Sequence, residues 1–314
     1  MAFMAQKQTF SGKIREVTIG GDGSSVKIGG ENTLPFHGFE GQIPNKPLIA
    51  MEVWDEAPSN WPEALIKNYE DVKNDPAAWA KKCVEQYGAD LISLHLVSTD
   101  PNGTNRSVDD AAETVKAVLA AVSVPLIIFG GGNLDKDAEV LKKVSEVAQG
   151  KNVLLGQAQE ENYKSITAAA MGYKQNIVSA TPIDVNLAKQ LNILISNLGL
   201  PLENVVMGQC STGALGYGLE YAYSVMERDK LAALQQNDAT MQVPLLANLG
   251  VDAWKAKEAK TSEADMPAWG DAEKRGIIWE ALTAMAYLIS GANVLIMRHP
   301  QSAALVKKAV DSLS

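Results

Sequence analysis

Cysteine is nearly absent from this sequence: two residues, Cys83 and Cys210, in 314. They form no C-x-x-C pair, so a disulfide framework is not expected. The chain alone cannot supply four thiolates to an iron–sulfur cluster or a zinc site. Cys83, inside "AWAKKCVEQYG", reads as a small core residue on an amphipathic helix. Histidine is as scarce. His37, His95 and His299 are scattered, and no H-x-H or H-E-x-x-H stretch brings two of them onto a metal. Basic clusters are missing too. Lys and Arg number 28 against 37 Asp and Glu, a formal charge of −9. That balance argues against a nucleic-acid partner and against an anionic membrane surface. The longest apolar stretch, Ile277 to Met297, carries Glu280 and breaks at Ser290–Gly291–Ala292–Asn293. It reads as a buried helix, a glycine stop and a buried strand rather than a membrane span. The opening "MAFMAQKQTFSGK" has no apolar core of signal-peptide length. A reducing cytoplasm is the expected location.

What the sequence does have is a 46% hydrophobic content and a repeating grammar. From residue 47 onward a short apolar run is followed by a polar loop, a capped helix, a Gly or Asn stop and another apolar run. The runs are "PLIAMEV" (47–53), "DLISLHLV" (90–97), "PLIIF" (125–129), "NVLLG" (152–156), "NIVSA" (176–180), "NVVMG" (204–208), "PLLANLG" (244–250) and "NVLIM" (293–297). They do not alternate apolar with polar, which is the habit of parallel strands buried on both faces. Helix starts are signalled by Asp75–Pro76, by "SVDD" from Ser107 and by Asp184, and stops by Gly150, Gly172 and Gly199. Eight such units in about 265 residues match a (β/α)8 TIM barrel, which typically takes about 250. An open doubly wound sheet is the competing architecture, but the first βα turn, after Val53, has no G-x-G-x-x-G. Residues 1–46 stand outside the pattern. "KIREVTIGG" and "SSVKIGG" around Asp22–Gly23 read as a β-hairpin extension covering the N-terminal end of a barrel over 47–314. A second insert, 251–276, lengthens the loop after the seventh strand. It carries Trp254 and Trp269, as a lid or a partner contact would.

A barrel places its site at the C-terminal ends of the strands. Those ends offer Glu52, Trp54 and Asp55; His95, Ser98 and Asp100; "FGGGN" to Asn133; Gln157 and Gln159; Ser179 and Thr181; Gln209 and Thr212; Asn248; and Arg298 with His299. Amides, hydroxyls and glycines dominate, and paired acid–base groups do not. Such a mouth suits a large polar ligand held by many hydrogen bonds better than acid–base turnover. Glu52, a charge within an apolar strand, either pairs with Arg298 or faces the site. His95 reads equally as a hydrogen-bonded core residue or a functional one, and His299 is the better site candidate. The stretch "CSTGALGYGLEY" (210–221) places Gly213, Gly216 and Gly218 after the sixth strand. Its G-x-x-G-x-G order reverses the dinucleotide fingerprint, so the glycines read as a backbone surface that a flat ligand can approach.

The stretches "LPFHGFEG", "WAKKCVEQYGADLI", "QEENYKSITAAA", "AKQLNILISNLGLPLENVV", "GALGYGLEYAYSVMER", "AWKAKEA", "GIIWEALTAMA" and "MRHP", in order along nearly the whole chain, carry a family resemblance. Together they resemble the small subunit of the corrinoid iron–sulfur protein of acetogenic bacteria. The archaeal counterpart is the delta subunit of acetyl-CoA decarbonylase/synthase. The resemblance implies a non-catalytic barrel subunit of a heterodimer that carries a methyl group on cobalt in the Wood–Ljungdahl (reductive acetyl-CoA) pathway. A methyltransferase loads the group from methyltetrahydrofolate, and acetyl-CoA synthase/carbon monoxide dehydrogenase receives it. The corrinoid (cobalamin) is expected between the barrel top and the large subunit, which alone carries the [4Fe-4S] cluster. No D-x-H-x-x-G stretch occurs here, so this chain lacks the motif by which many corrinoid proteins supply a histidine to cobalt. With the strand-end list, the residues expected to face the corrinoid are Thr212, Gly213, Gly216, Gln209, Thr181, Asn133, Gln157, Asn248 and His299. No catalytic residue and no metal ligand is expected.

Two enzymes compete with that reading. "GADLISLHLVSTDPNG" resembles the second strand of dihydropteroate-synthase-like barrels, which suggests a pterin-binding methyltransferase. Those barrels end the next strands in Asp or Asn, however, where this chain has "PLIIFGGGN" and "NVLLGQAQ". A sugar-phosphate enzyme would place its anion after strands seven and eight, where "ANLGVDAW" and "MRHP" stand.

Overall fold

The computed structural model describes residues 6–21, 23–181, 183–209 and 213–313, with Gln209 by its backbone alone. Two antiparallel strands, β1 (Glu16–Ile19) and β2 (Val26–Gly29), form the hairpin. Eight parallel strands then close a barrel: β3 (Leu48–Trp54), β4 (Leu91–His95), β5 (Leu126–Phe129), β6 (Leu154–Ala158), β7 (Asn176–Thr181), β8 (Val205–Gln209), β9 (Leu245–Ala247) and β10 (Val294–Met297). The seam is the pairing of β10 with β3, where Val294 lies beside Leu48 and Met297 beside Met51. The expected TIM barrel is therefore the fold, and all eight apolar runs are its strands.

Each run is continuously apolar because its two faces serve two cores. Ala50, Leu91, Ile127, Leu154, Val178, Val206 and Leu246 point inward and fill the barrel. Met51, Ile92, Ile128, Leu155, Ile177 and Val205 point outward under the helices. Burying each such side chain stabilises the fold by about 1.5–3 kcal/mol. The outer layer consists of α1 (Glu63–Ile66), α2 (Pro76–Glu85), α3 (Val108–Ala121), α4 (Leu134–Val147), α5 (Tyr163–Tyr173), α6 (Val185–Asn197), α7 (Leu219–Leu234), α8 (Leu249–Ala253), α9 (Lys257–Lys260), α10 (Ala272–Ser290) and α11 (Pro300–Leu313). The sequence signals act as expected at three starts. Asp75 accepts the Ala77 and Ala78 N–H groups, Ser107 that of Asp110, and Asp184 those of Asn186 and Leu187.

Two readings are corrected. Helix α5 runs through Gly172 and stops at Lys174, which takes the left-handed conformation at φ 58°. Helix α10, expected to be buried, is so on one side only: Ile278, Leu282 and Ile289 are each more than half exposed. Its apolar residues go around the helix, and the barrel covers only the inner face.

The hairpin seats Val17, Ile19 and Ile28 against the inward residues of the barrel at its N-terminal end. The Asn152 and Asn176 side-chain amides both donate to the Thr18 carbonyl at 2.8 Å. Asn204 donates to the Asn176 oxygen at 2.9 Å. These amides satisfy the Thr18 carbonyl at the hairpin edge, while the hairpin's apolar residues fill the N-terminal mouth.

Candidate functional site

The C-terminal mouth is open. A cavity of about 660 Å³ lies over the ends of β3, β4, β5, β6, β9 and β10. Its central feature is a buried ion pair. The Arg298 Nε and Nη2 groups donate to the two Glu52 oxygens, each at 2.8 Å. The Trp54 indole N–H donates to Glu52 Oε1, and His95 Nδ1 lies 3.4 Å from the same oxygen. Arg298 is held between two aromatic faces, 4.7 Å from the Trp61 centroid and 5.4 Å from that of Trp54. Burial pulls the Glu52 carboxyl up, but the charge and hydrogen bonds of Arg298 prevail and hold it at about 2. Burial pushes the His95 imidazole down; Glu52 opposes the shift and Arg298 adds to it. At neutral pH the cluster is an ionised Glu–Arg pair beside a neutral histidine.

A glycine loop, Gly130–Gly132, forms a second wall. Asp137, in the first turn of α4, reaches back and accepts the Gly131 and Gly132 N–H groups at 2.8 and 3.0 Å. A Cβ at Gly130 would overlap the Asp137 carboxyl, and one at Gly131 would meet the Asp100 backbone N at 2.8 Å. Burial pushes the Asp137 carboxyl up to about 6 despite those hydrogen bonds, and Asp100 adds to the shift.

The insert after β9 is the third wall, through Val251, Trp254, Lys255 and Lys260. Arg275 pins it: its guanidinium donates to the carbonyls of Glu258, Thr261, Trp269 and Gly270. The glycine stretch after β8 leans on this insert. Gly213 N–H donates to Asp252 at 3.1 Å, and Tyr217 O–H to Glu258 at 2.9 Å. Residues 214–217 close a turn, with the Tyr217 N–H on the Ala214 carbonyl at 2.7 Å. Gly216 takes φ 75° within it, the left-handed value that a glycine adopts without strain. Gly213, at φ 66°, has no room for a side chain either: a Cβ would sit 2.9 Å from the Gly218 backbone.

Gln157 and Asn248 are on the cavity wall. Asn133 is next to it, its side chain accepting the Lys136 N–H as the cap of α4. Thr181 is buried at a separate hollow of about 140 Å³ beside Gln159 and Gln190, and its hydroxyl has no hydrogen-bond partner among the described residues. Gln209 ends β8 opposite Thr181, and Thr212 lies outside the described residues. Gly213 and Gly216 belong to the turn beside the insert. His299 is fully buried behind the wall. Its Nδ1 accepts the Gln301 N–H at 3.1 Å, its Nε2 faces Asn68 at 3.2 Å, and its ring stacks on Trp254. Burial pushes its imidazole down to about 4. Glu280 holds this corner by accepting the Arg298 and His299 N–H groups at 2.6 and 3.0 Å. Asp137, Trp61 and Lys260 are cavity residues absent from the strand-end reading. None stands at a strand end, and an acidic residue four places after a strand-end Asn was the one available signal for Asp137.

Glu52 is locked to Arg298, and both nitrogens of His95 are engaged, Nδ1 by Glu52 and Nε2 by the Ser93 hydroxyl at 3.0 Å. Among the described residues no group of three or more His, Cys, Asp and Glu is placed to hold a metal ion. No helix among them is long and apolar enough to cross a membrane.

Comparison with known proteins gives one family and one fold. In solved structures the chain matches a dihydropteroate synthase from Coxiella burnetii in complex with pteroic acid, at TM-score 0.60 and 9% identity, over 96% of this chain and 100% of that one. It also matches a dihydropteroate synthase from Xanthomonas albilineans with 4-aminobenzoic acid, at 0.58 and 13%, over 94% and 99%. At such identities the likeness carries the barrel alone. In sequence the chain is 38% identical over 324 residues to the acetyl-CoA decarbonylase/synthase complex subunit delta of Archaeoglobus fulgidus, covering 99% of this chain and 71% of that protein. It is 39% identical over 313 residues to subunit delta 1 of Methanosarcina thermophila, covering 96% and 71%. The family model described as CO dehydrogenase/acetyl-CoA synthase delta subunit matches residues 16–308. By family model and by relatives alike, the chain belongs to the CO dehydrogenase/acetyl-CoA synthase delta-subunit family.

Proposed function

We propose that this chain is the non-catalytic subunit of a heterodimeric corrinoid methyl carrier in the reductive acetyl-CoA pathway, working in the cytoplasm. Its partner is a large subunit that carries the [4Fe-4S] cluster. A methyltetrahydrofolate-dependent methyltransferase supplies the methyl group, and acetyl-CoA synthase/carbon monoxide dehydrogenase takes it. The observation that carries this reading is a cavity whose central ionisable groups, Glu52, Arg298 and His95, are committed to one another, while amides and a glycine backbone remain on its wall.

That donor set fits a corrinoid, whose rim bears carboxamides. Gln157, Gln159 and Asn248 would hold those amides, the Gly130–Gly132 backbone would approach the ring closely, and Trp54 would give it apolar contact. When bound, the corrinoid supplies cobalt as the atom that receives and releases the methyl group. The chain's own part is to bind, orient and keep water from one face. His95 and His299 have both ring nitrogens occupied, so the mouth offers no free imidazole from either. A cavity of about 660 Å³ covers part of a corrinoid, which suits a site shared with a second subunit.

The test is co-expression with the large subunit, followed by visible spectroscopy and cobalt analysis. The account expects corrinoid absorbance and cobalt in the complex. A cobalt-free complex overturns it. Tight binding of methyltetrahydrofolate by the isolated chain would instead support a pterin-binding methyltransferase.

A further inference from the structure

We infer that Arg298 grips a neutral carboxamide carbonyl on the corrinoid rim through Nη1, and that Glu52 is the positioning residue that aims it. This rests on the reading of the mouth as a corrinoid site and names the group that anchors the ligand there. A guanidinium has five N–H donors in a fixed fork. Glu52 takes one from Nε and one from Nη2, each at 2.8 Å. The rings of Trp54 and Trp61 clamp the guanidinium, at 5.4 and 4.7 Å, so its plane is fixed. Nη1 is at the other edge of the fork and has no hydrogen-bond partner among the described residues. Arg298 is only 5% exposed, yet it lines the cavity. Nη1 therefore meets the open cavity, where a ligand acceptor can take the place of water on a donor whose direction is already fixed.

The charge of the site selects the kind of acceptor. Glu52 already cancels the guanidinium. Lys255 and Lys260, exposed residues of the insert, line the same cavity as Asp100 and Asp137, so the rim carries both signs. An anion at Nη1 would meet a pair whose charge is already cancelled, so it would gain little from the guanidinium. A neutral carbonyl takes the hydrogen bond without needing a net positive charge.

The experiment uses the complex with its large subunit and reads corrinoid retention during dialysis, by absorbance and cobalt. Arg298→Lys keeps the charge and loses the fork. The double variant Glu52→Gln with Arg298→Gln keeps the buried site neutral, so it preserves the fold, which thermal melting checks. Both are expected to hold the corrinoid about tenfold to a hundredfold more weakly, the range for a hydrogen bond to a charged group. Glu52→Gln is expected to weaken retention in the wild-type background and to add nothing on top of Arg298→Lys. Wild-type retention in both Arg298 variants overturns the inference. Reconstitution with cobinamide, which lacks the nucleotide phosphate, is expected to show the same loss. Disappearance of the loss with cobinamide assigns Arg298 to the phosphate and overturns the carboxamide. A wild-type complex without cobalt is a different failure, that of the functional reading itself.

Discussion

The barrel buries one ion pair near each end, and the two are built differently. At the N-terminal end Lys230 of α7 donates to Glu31 at 2.6 Å, and Asn293 donates to the same oxygen at 2.9 Å. This pair ties the segment after the hairpin to the start of β10. At the C-terminal end the pair is Glu52 and Arg298, with both carboxylate oxygens used and a guanidinium edge left over. Lysine is a point charge that neutralises and pins; arginine is a fork that can hold a carboxylate and still present donors. The N-terminal mouth is then filled by Val17, Ile19 and Ile28. The C-terminal mouth has an organised floor and walls, with about 660 Å³ left open between them. A buried ion pair thus stands near a filled end and near an open one.

The largest test of that difference is to break each pair. Arg298→Ala and Lys230→Ala each strand a buried carboxylate, and each is expected to lower unfolding stability by about 3–5 kcal/mol in denaturant titrations. The Arg298 variant alone is expected to lose corrinoid; equal loss in both would erase the distinction between the ends. The next effect is a pH dependence. The Glu52 carboxyl is held at about 2 in the folded chain against an ordinary 4.5. A depressed carboxylate stabilises the fold above its unfolded value, and that contribution disappears as pH falls from 4.5 toward 2. It amounts to about 3 kcal/mol, and the corresponding slope should be missing from acid unfolding of the Glu52→Gln, Arg298→Gln double variant. A slope unchanged in that variant would place the acid sensitivity elsewhere.

Smaller effects separate the ends further. Asn176→Ala removes the amide that links Thr18, Asn152 and Asn204. It is expected to cost about 1–3 kcal/mol in stability and to leave corrinoid retention unchanged. Gly216→Ala forces a Cβ into a left-handed turn residue with only ordinary contact to Trp279 at 3.8 Å. A loss of about 1–2 kcal/mol by melting is expected, local to the turn. Gly213 is less suited to this test, because its backbone is both left-handed and crowded.

The barrel was legible because its signal is redundant. Eight apolar runs, each followed by a capped helix, leave few other closures, and Asp75, Ser107 and Asp184 cap the helices their positions announced. The lining of the candidate cavity was legible where it follows strand ends. Gln157, Asn248 and the pair of Glu52 with Arg298 meet in one cavity. It was not legible where a side chain reaches in from elsewhere. Asp137 folds back from a helix turn, Trp61 comes from the loop before α1, and Lys260 arrives on the insert. His299 is off the cavity lining for a geometric reason. Directly after Arg298 the chain turns into α11, and Glu280 captures the backbone of both residues, sending the imidazole behind the wall. The glycines of "GALGYG" signalled a backbone need, and the structure shows one such need, a turn against the insert.

Amide hydrogen exchange on the complex, with and without its corrinoid, tests the central claim most directly. The account predicts that loading the corrinoid slows exchange in the Gly130–Gly132 loop and at 157–162, and leaves the hairpin at 14–31 unchanged. Protection confined to the hairpin end, or absent from this chain altogether, would contradict it.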